Sequence, residues 1–587
     1  MTNASGTLAA KDVVQLYVTP PYYDGEIEKS DVSLVGFAKT GDIEPGQYED
    51  VTITLKVSDL AYYDCYDLNK NNNTGYELDA GDYELTLRTD SHSVKEGCDP
   101  IEFNIPATIS IKNDPVTTNE VNNLFTGEDA VDGVSIDGLG DAGGNQNVAY
   151  ITRESFPTSA PGRTAARNIP DNVREYNLFT SDDEKAWNEA TKDAFGDPVD
   201  LTPVTFEANN GLKVYDAATG ITELGKKLGN PEYYEDDDWN LLLDQLKRSE
   251  GLGMIGIAAS GTPAVSSVGK PSLQDRDGPV QAGGFINMDR RGVGFPSAFV
   301  TAQSWSEDVA FRFGAAFGVE MQNVGFAGIF GPGCNIHRSP FGGRNFEYYS
   351  EDALLSGKAA ANAVYGMKTE GRYAFLKHFA VAETETGRDS YYSWLSEQAL
   401  REIYVKPFEI AVKEGGCVGI MSSYNRVGAR WAGGSIGLQE GLLRREWGFR
   451  GAIITDFSDN NEYMNMNESI RMGGDLGMAT GINGKNTTGV RMDREIRQAV
   501  KNVLYMWLNA EYTATVTNID YVSGGLLGEP WIWWQPLLID LTIIAFASCA
   551  FWAFLIVLGI LKHRKSRLAA QSDETTTSGE VKEVGND

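Results

Sequence analysis

The chain has 587 residues, which is enough for several domains and a large core. It carries 82 acidic against 50 basic residues and a net charge of −32, which argues against a nucleic-acid partner because phosphate-binding surfaces need clustered Lys and Arg. Five scattered cysteines are too few for a disulfide scaffold or a zinc site, although Cys65 and Cys98 share a β-rich region and could pair if that region is extracellular.

The amino-terminal region, residues 1–113, is predicted to be a β-sandwich. Apolar and polar residues alternate from 51 to 57, as in a half-buried strand, and residues 13–18 and 83–87 are further strand candidates. Turns rich in Pro, Gly and Asp separate these short strands, a pattern typical of sandwiches. Only about eleven polar residues precede the first strand, so the sandwich is expected to be incomplete at its amino end.

Residues 114–238 are rich in Asn, Asp, Gly and Thr and show weak periodicity. This composition predicts a linker that wraps over its neighbours.

Apolar strands alternate with amphipathic helices over residues 239–512. The strand candidates are residues 285–288, 325–331, 374–379, 417–422, 451–457 and 474–478. Helical stretches lie between them, for example residues 306–324, 351–370 and 396–414. Repeated βα units over about 270 residues predict an α/β fold with a parallel (β/α)8-type barrel. A doubly wound open sheet is the alternative, but no G-x-G-x-x-G follows the first strand.

The carboxyl-terminal region contains an uncharged apolar run at residues 541–561, preceded by tryptophans and followed by a basic cluster at 562–567. A run of about twenty apolar residues is long enough to span a bilayer. We therefore expect a juxtamembrane segment at 513–535, one transmembrane helix within 536–561 and a cytoplasmic tail at 562–587, with the barrel outside the cell. A buried core helix, the alternative, does not explain the flanking residues.

Asp456 follows the short apolar run at residues 452–454 and is the first candidate for a catalytic nucleophile. Strands of an α/β barrel end at the catalytic mouth, so a carboxylate at the end of a strand points into the site. An Asp that only caps the next helix is the alternative.

Other predicted strand ends carry charged donors and acceptors, one imidazole and one aromatic ring. They are Asp277, Arg338, Arg344, Lys377, His378 and Tyr424. A hexose needs such a set, because its hydroxyls take bidentate hydrogen bonds and its C–H face takes an aromatic wall. Each residue alone also has a structural interpretation, such as an ion pair between Arg344 and Glu347.

Five motifs of the barrel region resemble glycoside hydrolase family 3, the β-glucosidase family. They are Asp-Gly-Pro at 277–279, Gly-Pro-Gly-Cys-Asn-Ile-His-Arg at 331–338, Gly-Arg-Asn-Phe-Glu at 343–347, Lys-His-Phe at 377–379 and Ile-Thr-Asp-Phe at 454–457. The resemblance implies Asp456 as the nucleophile. It also implies that the sugar is bound by Asp277, Arg338, Arg344, Lys377, His378, Met421 and Tyr424. Residues 12–113 resemble the family's fibronectin-III-like domain, and the domain order resembles that of circularly permuted members.

The chain departs from the family pattern in one respect. It lacks the α/β sandwich domain that usually donates the acid/base glutamate, so it looks like the carboxy-terminal portion of a permuted enzyme, and a separate sandwich domain or chain is a candidate partner. Glu385 is the only nearby substitute, and we interpret it as a structural partner of Arg388.

The resemblance implies retaining hydrolysis of a β-linked glucoside or oligosaccharide without any cofactor. Arg338 and Lys377 are expected to keep the pKa of Asp456 low. Two functions stay open. One is a membrane-anchored, exo-acting β-glucosidase, with β-xylosides as alternative substrates, and the other is a catalytically impaired cell-surface protein that binds sugar or acts as a scaffold.

Overall fold

The computed structural model describes residues 1–133, 150–156, 169–283, 291–458, 463–478, 487–517, 548 and 551–568. The chain forms two compact units, Met1–Asn518 and Ile519–Asp587.

The first unit begins with a β-sandwich. Its strands are β1 (Val13–Thr19), β2 (Ser33–Lys39), β3 (Tyr62–Asp64), β4 (Gly75–Leu78), β5 (Gly81–Asp90), β6 (Ser93–Val94), β7 (Ile101–Ile105) and β8 (Ile109–Ile111). One antiparallel sheet has the order β2-β1-β5, with β6 and β7 both paired to β5, and the other has the order β3-β4-β8. Val18, Leu78 and Tyr83 are buried between them.

One predicted strand of this sandwich does not form. Residues 51–56 have no regular secondary structure and are followed by a 3-10 turn at Val57–Leu60. Leu55 still packs on the sandwich core, whereas Val57, the last apolar residue of the alternation, is 52 % exposed. A strand needs a backbone partner as well as an apolar face, and none of the strands described here pairs with this segment. Cys65 and Cys98 are both free thiols.

The region between sandwich and barrel contains short elements. They are the 3-10 turns Gly127–Asp129 and Pro231–Tyr233, the strands β9 (Tyr215–Asp216) and β10 (Gly220–Ile221), and the helices Asp171–Glu175, Ser181–Glu189 and Glu223–Gly229. Ion pairs attach it to the rest of the unit. Arg430 Nε lies 2.9 Å from Asp129 Oδ1, and Arg445 pairs with Asp193 and Asp197.

Short strands and turns precede and follow the parallel strands of the next region. All its strands are β11 (Asp275–Asp277), β12 (Gln281–Gly283), β13 (Arg291–Gly294), β14 (Gly328–Gly333), β15 (Tyr373–Phe379), β16 (Tyr392–Ser393), β17 (Gly419–Ser422), β18 (Arg426–Val427), β19 (Arg430–Trp431) and β20 (Ala452–Ile454). Its helices are Asp238–Leu243, Arg248–Gly256, Ala298–Ala302, Glu307–Val324, Ala353–Thr369, Glu397–Ala399, Lys406–Lys413, Met466–Arg471 and Val490–Thr517, with π-helical segments at Leu400–Tyr404 and Gly437–Glu446 and 3-10 turns at Ser266–Val268 and Ala432–Gly434.

The core of this region is a parallel sheet in the order β11-β14-β15-β17-β20. Backbone hydrogen bonds then close the ring. Leu476 bridges to Ile454, Gly477 N donates to Ile255 O at 2.7 Å, and Asp275 N on β11 donates to Ser260 O at 3.2 Å. The fold is therefore barrel-like, as predicted.

The regular eightfold strand pattern of a (β/α)8 barrel is not seen among the described residues, because segments 255–262 and 474–478 join the ring through single bridges and irregular backbone. The candidate strand at 285–288 lies outside the described residues.

Gly451 allows β20 to enter this ring. Its φ is +141°, and a Cβ at this position would lie 2.0 Å from the carbonyl oxygen of Val418 on the neighbouring chain segment. Only glycine tolerates both the backbone conformation and the close approach. The turn at 448–451 therefore sets the position of the strand that leads to Asp456.

Arg401 joins the sandwich to the barrel. It is 1 % exposed, its Nε lies 2.8 Å from Glu397 Oε1, and its Nη1 lies 2.7 Å from Glu446 Oε1. Its guanidinium also covers the ring of Tyr63 on β3 at 4.4 Å, and its Nη2 donates to Asn122 O. A single buried cation thus ties three parts of the chain together.

The prediction of a transmembrane helix is wrong for the structure as described. The second unit contains a described helix at residues 551–568, and no described helix is long and apolar enough to cross a membrane. The described helix contains only part of the apolar run, and its second half carries Lys562, Arg564, Lys565 and Arg567. Residues 536–547, 549 and 550 of the expected span lie outside the described residues. The lipid bilayer is therefore not supported as a partner through this helix, and the extracellular placement of the barrel stays a prediction.

Candidate active site

The carboxyl ends of the parallel strands bring the predicted residues to one edge of the barrel. Asp277 is the last residue of β11, Lys377 and His378 lie near the end of β15, and Met421 lies on β17. β20 ends at Ile454, two residues before Asp456, whose backbone N–H still donates to Ser422 O at 3.1 Å. The strand-end argument from the sequence therefore holds for these residues.

Asp456 is a buried carboxylate with one free oxygen. Its Oδ1 accepts the N–H of Phe457 at 2.7 Å, whereas its Oδ2 is buried without a hydrogen-bond partner among the described residues. Burial raises the pKa of Asp456 above its ordinary value, although the Phe457 N–H and the positive charges of Lys377, Arg344 and Arg388 oppose that shift. The expectation of a low pKa is therefore wrong, because desolvation outweighs the neighbouring cations.

Side chains of alternating charge form a row at the barrel mouth that ends at Asp277. Its members are Arg388, Glu385, Arg344, Glu347, Lys377 and Asp277. Lys377 Nζ lies 3.2 Å from Asp277 Oδ1 and 3.8 Å from Glu347 Oε2, and Glu347 also pairs with Arg344. Each charge faces an opposite one, so donors and acceptors are held in fixed positions at the barrel mouth.

Glu385 has the structural role that the sequence suggested. Its Oε2 lies 3.2 Å from Arg388 Nη1 and its Oε1 lies 3.5 Å from Arg344 Nη1. It therefore links two cations that act on Asp456.

His378 lies directly beside the candidate nucleophile. Its Nε2 lies 3.7 Å from Asp456 Oδ2, and its Nδ1 lies 3.1 Å from the hydroxyl of Tyr348. Burial lowers the pKa of His378 well below its ordinary value, and the charges of Arg344, Lys377 and Arg388 lower it further. The imidazole is therefore neutral, with one N–H and one acceptor nitrogen.

Tyr424 and Met421 differ in exposure. The ring of Tyr424 is half-buried and carries the Arg388 guanidinium at 4.5 Å, and burial together with the charge of Asp456 raises its pKa. Met421 is 2 % exposed and belongs to the apolar cluster that contains Ile454 and Phe375. The aromatic wall at Tyr424 and the sugar contact by Met421 both stay predictions.

Arg338 lies apart from the nucleophile in its interactions. The residue is exposed, and its positive charge opposes the burial that raises the pKa of Tyr404 and of Glu383. The cations that act on Asp456 are Lys377, Arg344 and Arg388 instead. The expected effect of Arg338 on the nucleophile is therefore not found, and its sugar contact stays a prediction.

Three residues of this neighbourhood were not among the candidates drawn from the sequence. Arg388 contributes charge to Asp456, Tyr348 contacts His378, and Glu383 is a buried carboxyl whose pKa burial raises to about 7. Tyr348 directly follows the Gly-Arg-Asn-Phe-Glu motif at 343–347, and this position is the signal by which the sequence could have indicated it as a site residue. No group of His, Cys, Asp and Glu among the residues described could hold a metal ion.

Comparisons with known proteins give matches to both the barrel region and the sandwich region. Residues 277–483 match the glycosyl hydrolase family 3 N terminal domain, and residues 12–91 match the fibronectin type III-like domain. The chain is 30 % identical over 476 residues to β-glucosidase A of Butyrivibrio fibrisolvens, covering 81 % of this chain and 52 % of that protein. It is 27 % identical over 462 residues to a β-glucosidase of Ruminococcus albus, covering 78 % of this chain and 42 % of the relative.

A solved structure supports the fold. A β-glucosidase from Paenibacillus barengoltzii superposes with a TM-score of 0.61 at 24 % identity, covering 87 % of this chain and 53 % of that one. The chain thus spans about half the length of the relatives that it matches. The chain is thus similar to glycosyl hydrolase family 3 proteins in its barrel region and to β-glucosidases over most of its length.

Proposed function

We propose that this chain hydrolyses β-glucosides with retention of configuration, acting from the non-reducing end, and that Asp456 is the nucleophile. The observation that carries the proposal is Oδ2 of Asp456, which has no hydrogen-bond partner among the described residues and is buried beside a row of paired donors and acceptors at the barrel mouth. A desolvated oxygen without a partner is available to bond an anomeric carbon. The β-glucosidase names of the relatives support glucose as the sugar.

Sugar recognition is assigned to the charged row. Asp277 is the most exposed member, with a side chain 56 % accessible, so its carboxylate can accept sugar hydroxyls while Lys377 holds it at 3.2 Å. Lys377 and Arg344 donate to sugar oxygens, and the ring of Tyr424 lies against a C–H face. These pairings suit a neutral, hydroxyl-rich ligand and need no phosphate or carboxylate on the substrate.

In the glycosylation step Asp456 attacks the anomeric carbon through an oxocarbenium-like transition state, and the aglycone leaves. The nucleophile must be ionised for this step. Lys377, Arg344 and Arg388 favour the ionised form and partly offset the burial that raises the pKa of Asp456. The same cations balance the negative charge until the glycosyl ester forms.

Both steps need a second carboxyl, which protonates the leaving oxygen during glycosylation and activates water during deglycosylation. Glu385 is not assigned this role, because its two carboxylate oxygens are engaged by Arg344 and Arg388. We assign this role to a separate α/β sandwich domain or chain that docks over the mouth.

The test measures release of nitrophenol from nitrophenyl β-glucoside by the full chain, beside nitrophenyl β-xyloside and cellobiose. We expect turnover of the activated glucoside that Asp456→Asn abolishes and that azide accelerates, because azide attacks the ester without a base. Glucose binding without turnover of any substrate, with or without azide, would favour a sugar-binding protein instead. Full activity on cellobiose would mean that this chain contains its own acid/base residue.

A further inference from the structure

Contacts to both the backbone and the ring of His378 fix its position. Asn335 Nδ2 donates to the carbonyl of His378 at 3.0 Å, and the N–H of His378 donates to Asn335 Oδ1 at 2.7 Å. The side chain is 3 % exposed in total, and the Tyr348 ring packs edge-on against the imidazole with centroids 6.2 Å apart. The ring therefore has one orientation, with Nε2 toward Asp456 and Nδ1 toward Tyr348.

A neutral imidazole in this orientation must choose where its single proton lies. If Nδ1 carries the proton, it donates to Tyr348, whose hydroxyl can then donate to Ala382 O at 3.2 Å. The bare Nε2 would then face Asp456 Oδ2, an oxygen that already lacks a donor among the described residues. Two acceptors would face each other in a buried place, one of them charged when Asp456 ionises.

If Nε2 carries the proton, no two acceptors face each other at Asp456. Nε2–H points at Asp456 Oδ2, which is 3.7 Å away, and Nδ1 accepts the hydroxyl proton of Tyr348. The contact given up is the one from Tyr348 to the carbonyl of Ala382, a residue that is only half-buried. The 3.7 Å separation is longer than a hydrogen bond, so Nε2–H acts on ionised Asp456 Oδ2 through charge–dipole attraction, which the bare Nε2 of the other tautomer would turn into repulsion.

We propose that Tyr348 is a positioning residue for the nucleophile: its hydroxyl donates to His378 Nδ1, keeps the imidazole proton on Nε2, and so directs an N–H at Asp456 Oδ2. This inference rests on the proposed function for its catalytic meaning, but the tautomer is a property of the resting protein. The N–H stabilises ionised Asp456 and orients its attacking oxygen. Tyr348 acts only through His378 and does not touch the substrate.

The matched control is the next residue. Tyr349 is 1 % exposed, like Tyr348 at 2 %, but its hydroxyl has no hydrogen-bond partner among the described residues. Tyr348→Phe and Tyr349→Phe therefore delete the same atom from neighbouring buried rings. Only the first deletion removes a bond to His378.

The direct experiment is nitrogen NMR on the full chain labelled in its histidines. The chain has four histidines, and the His378→Gln variant identifies the signals of His378 by their loss. We expect wild-type His378 to show a protonated Nε2 and an unprotonated Nδ1. Tyr348→Phe should give a mixture of tautomers, while Tyr349→Phe keeps the wild-type pattern. A wild-type protein with its proton on Nδ1 would overturn the proposal, and so would a Tyr348→Phe variant with unchanged signals.

Kinetics give a second readout. Tyr348→Phe should lower kcat for nitrophenyl β-glucoside about 5- to 30-fold with little change in KM, and should move the acidic limb of the rate profile to higher pH. Tyr349→Phe should stay within about twofold of wild type. If wild type itself shows no turnover, the proposed function fails while the NMR still decides the tautomer. A Tyr348→Phe variant that melts like wild type and keeps full kcat would count against Tyr348 alone.

Discussion

Replacing Asp277 by alanine is the sharpest test of how the sugar is held. The carboxylate lies at the end of β11, and its Oδ1 faces Lys377 Nζ at 3.2 Å. It can accept two sugar hydroxyls, each a charge-assisted hydrogen bond of about 1.5–3 kcal/mol. Because the side chain is 56 % exposed, solvent screens part of this energy, and we expect a net loss of about 2–4 kcal/mol.

That loss corresponds to a dissociation constant for glucose about 30- to 1000-fold higher. Calorimetric titration of the full chain with glucose measures it directly. Lys377 keeps contacts with Glu347 at 3.8 Å and Gly278 O at 3.4 Å, so the site itself should remain folded.

Two variants serve as controls for Asp277→Ala. Asp308→Ala removes an exposed aspartate that pairs with Arg312 on a surface helix, and it should leave glucose binding unchanged. Asp456→Asn should weaken binding much less than Asp277→Ala, since the nucleophile contacts the anomeric carbon rather than the hydroxyls. Equal effects of the Asp277 and Asp456 changes, or a loss under about threefold for Asp277→Ala, would refute the assignment.

Three further predictions follow from buried charges. The raised pKa of Asp456 should place the acidic limb of the kcat/KM pH profile above the ordinary aspartate pKa. Arg344→Met removes a charge that lowers this pKa, so it should move the limb to still higher pH. A limb that stays in place would contradict the coupling between Arg344 and Asp456. Burial raises the pKa of Glu468 to about 8, so the contribution of this carboxyl to stability is fully present below about pH 4.5 and is lost as pH rises toward 8. Calorimetry should find Glu468→Gln more stable than wild type at pH 8 by at most about 4 kcal/mol. A difference of equal size at pH 4 would contradict this cause. Arg401→Ala leaves Glu397 and Glu446 without their cation, so urea unfolding should show a free energy of unfolding lower by about 3–5 kcal/mol. A loss under about 1 kcal/mol would mean that Arg401 does not stabilise the contact between sandwich and barrel.

The parallel strands and their ends could be predicted because both signals are local. The runs before Lys377 and Asp456 are apolar on both faces, which is typical of covered parallel strands, and polar side chains follow directly. The alternation at residues 51–57 was equally clear but did not give a strand, since pairing depends on an edge elsewhere in the fold.

The electrostatics of the site could not be predicted to the same degree. The sequence contained the cations around Asp456 but not the depth at which the fold buries it, and burial decides the direction of its pKa. In the same way, the sequence contained Arg338 within a motif but not the groups on which its charge acts, which include Tyr404 and Glu383. The contact between Tyr348 and His378 joins residues 30 positions apart and needs the three-dimensional structure.

Trapping the glycosyl-enzyme is the most direct test of Asp456 as the nucleophile. The full chain is incubated with a fluorinated β-glucoside that carries a dinitrophenol leaving group, which needs no acid to depart, and is then digested with trypsin. We predict a fluoroglucosyl ester on Asp456 within peptide 451–471, and no such adduct in Asp456→Asn. An adduct on another carboxylate, or hydrolysis of the unfluorinated substrate that survives Asp456→Asn, would contradict the account.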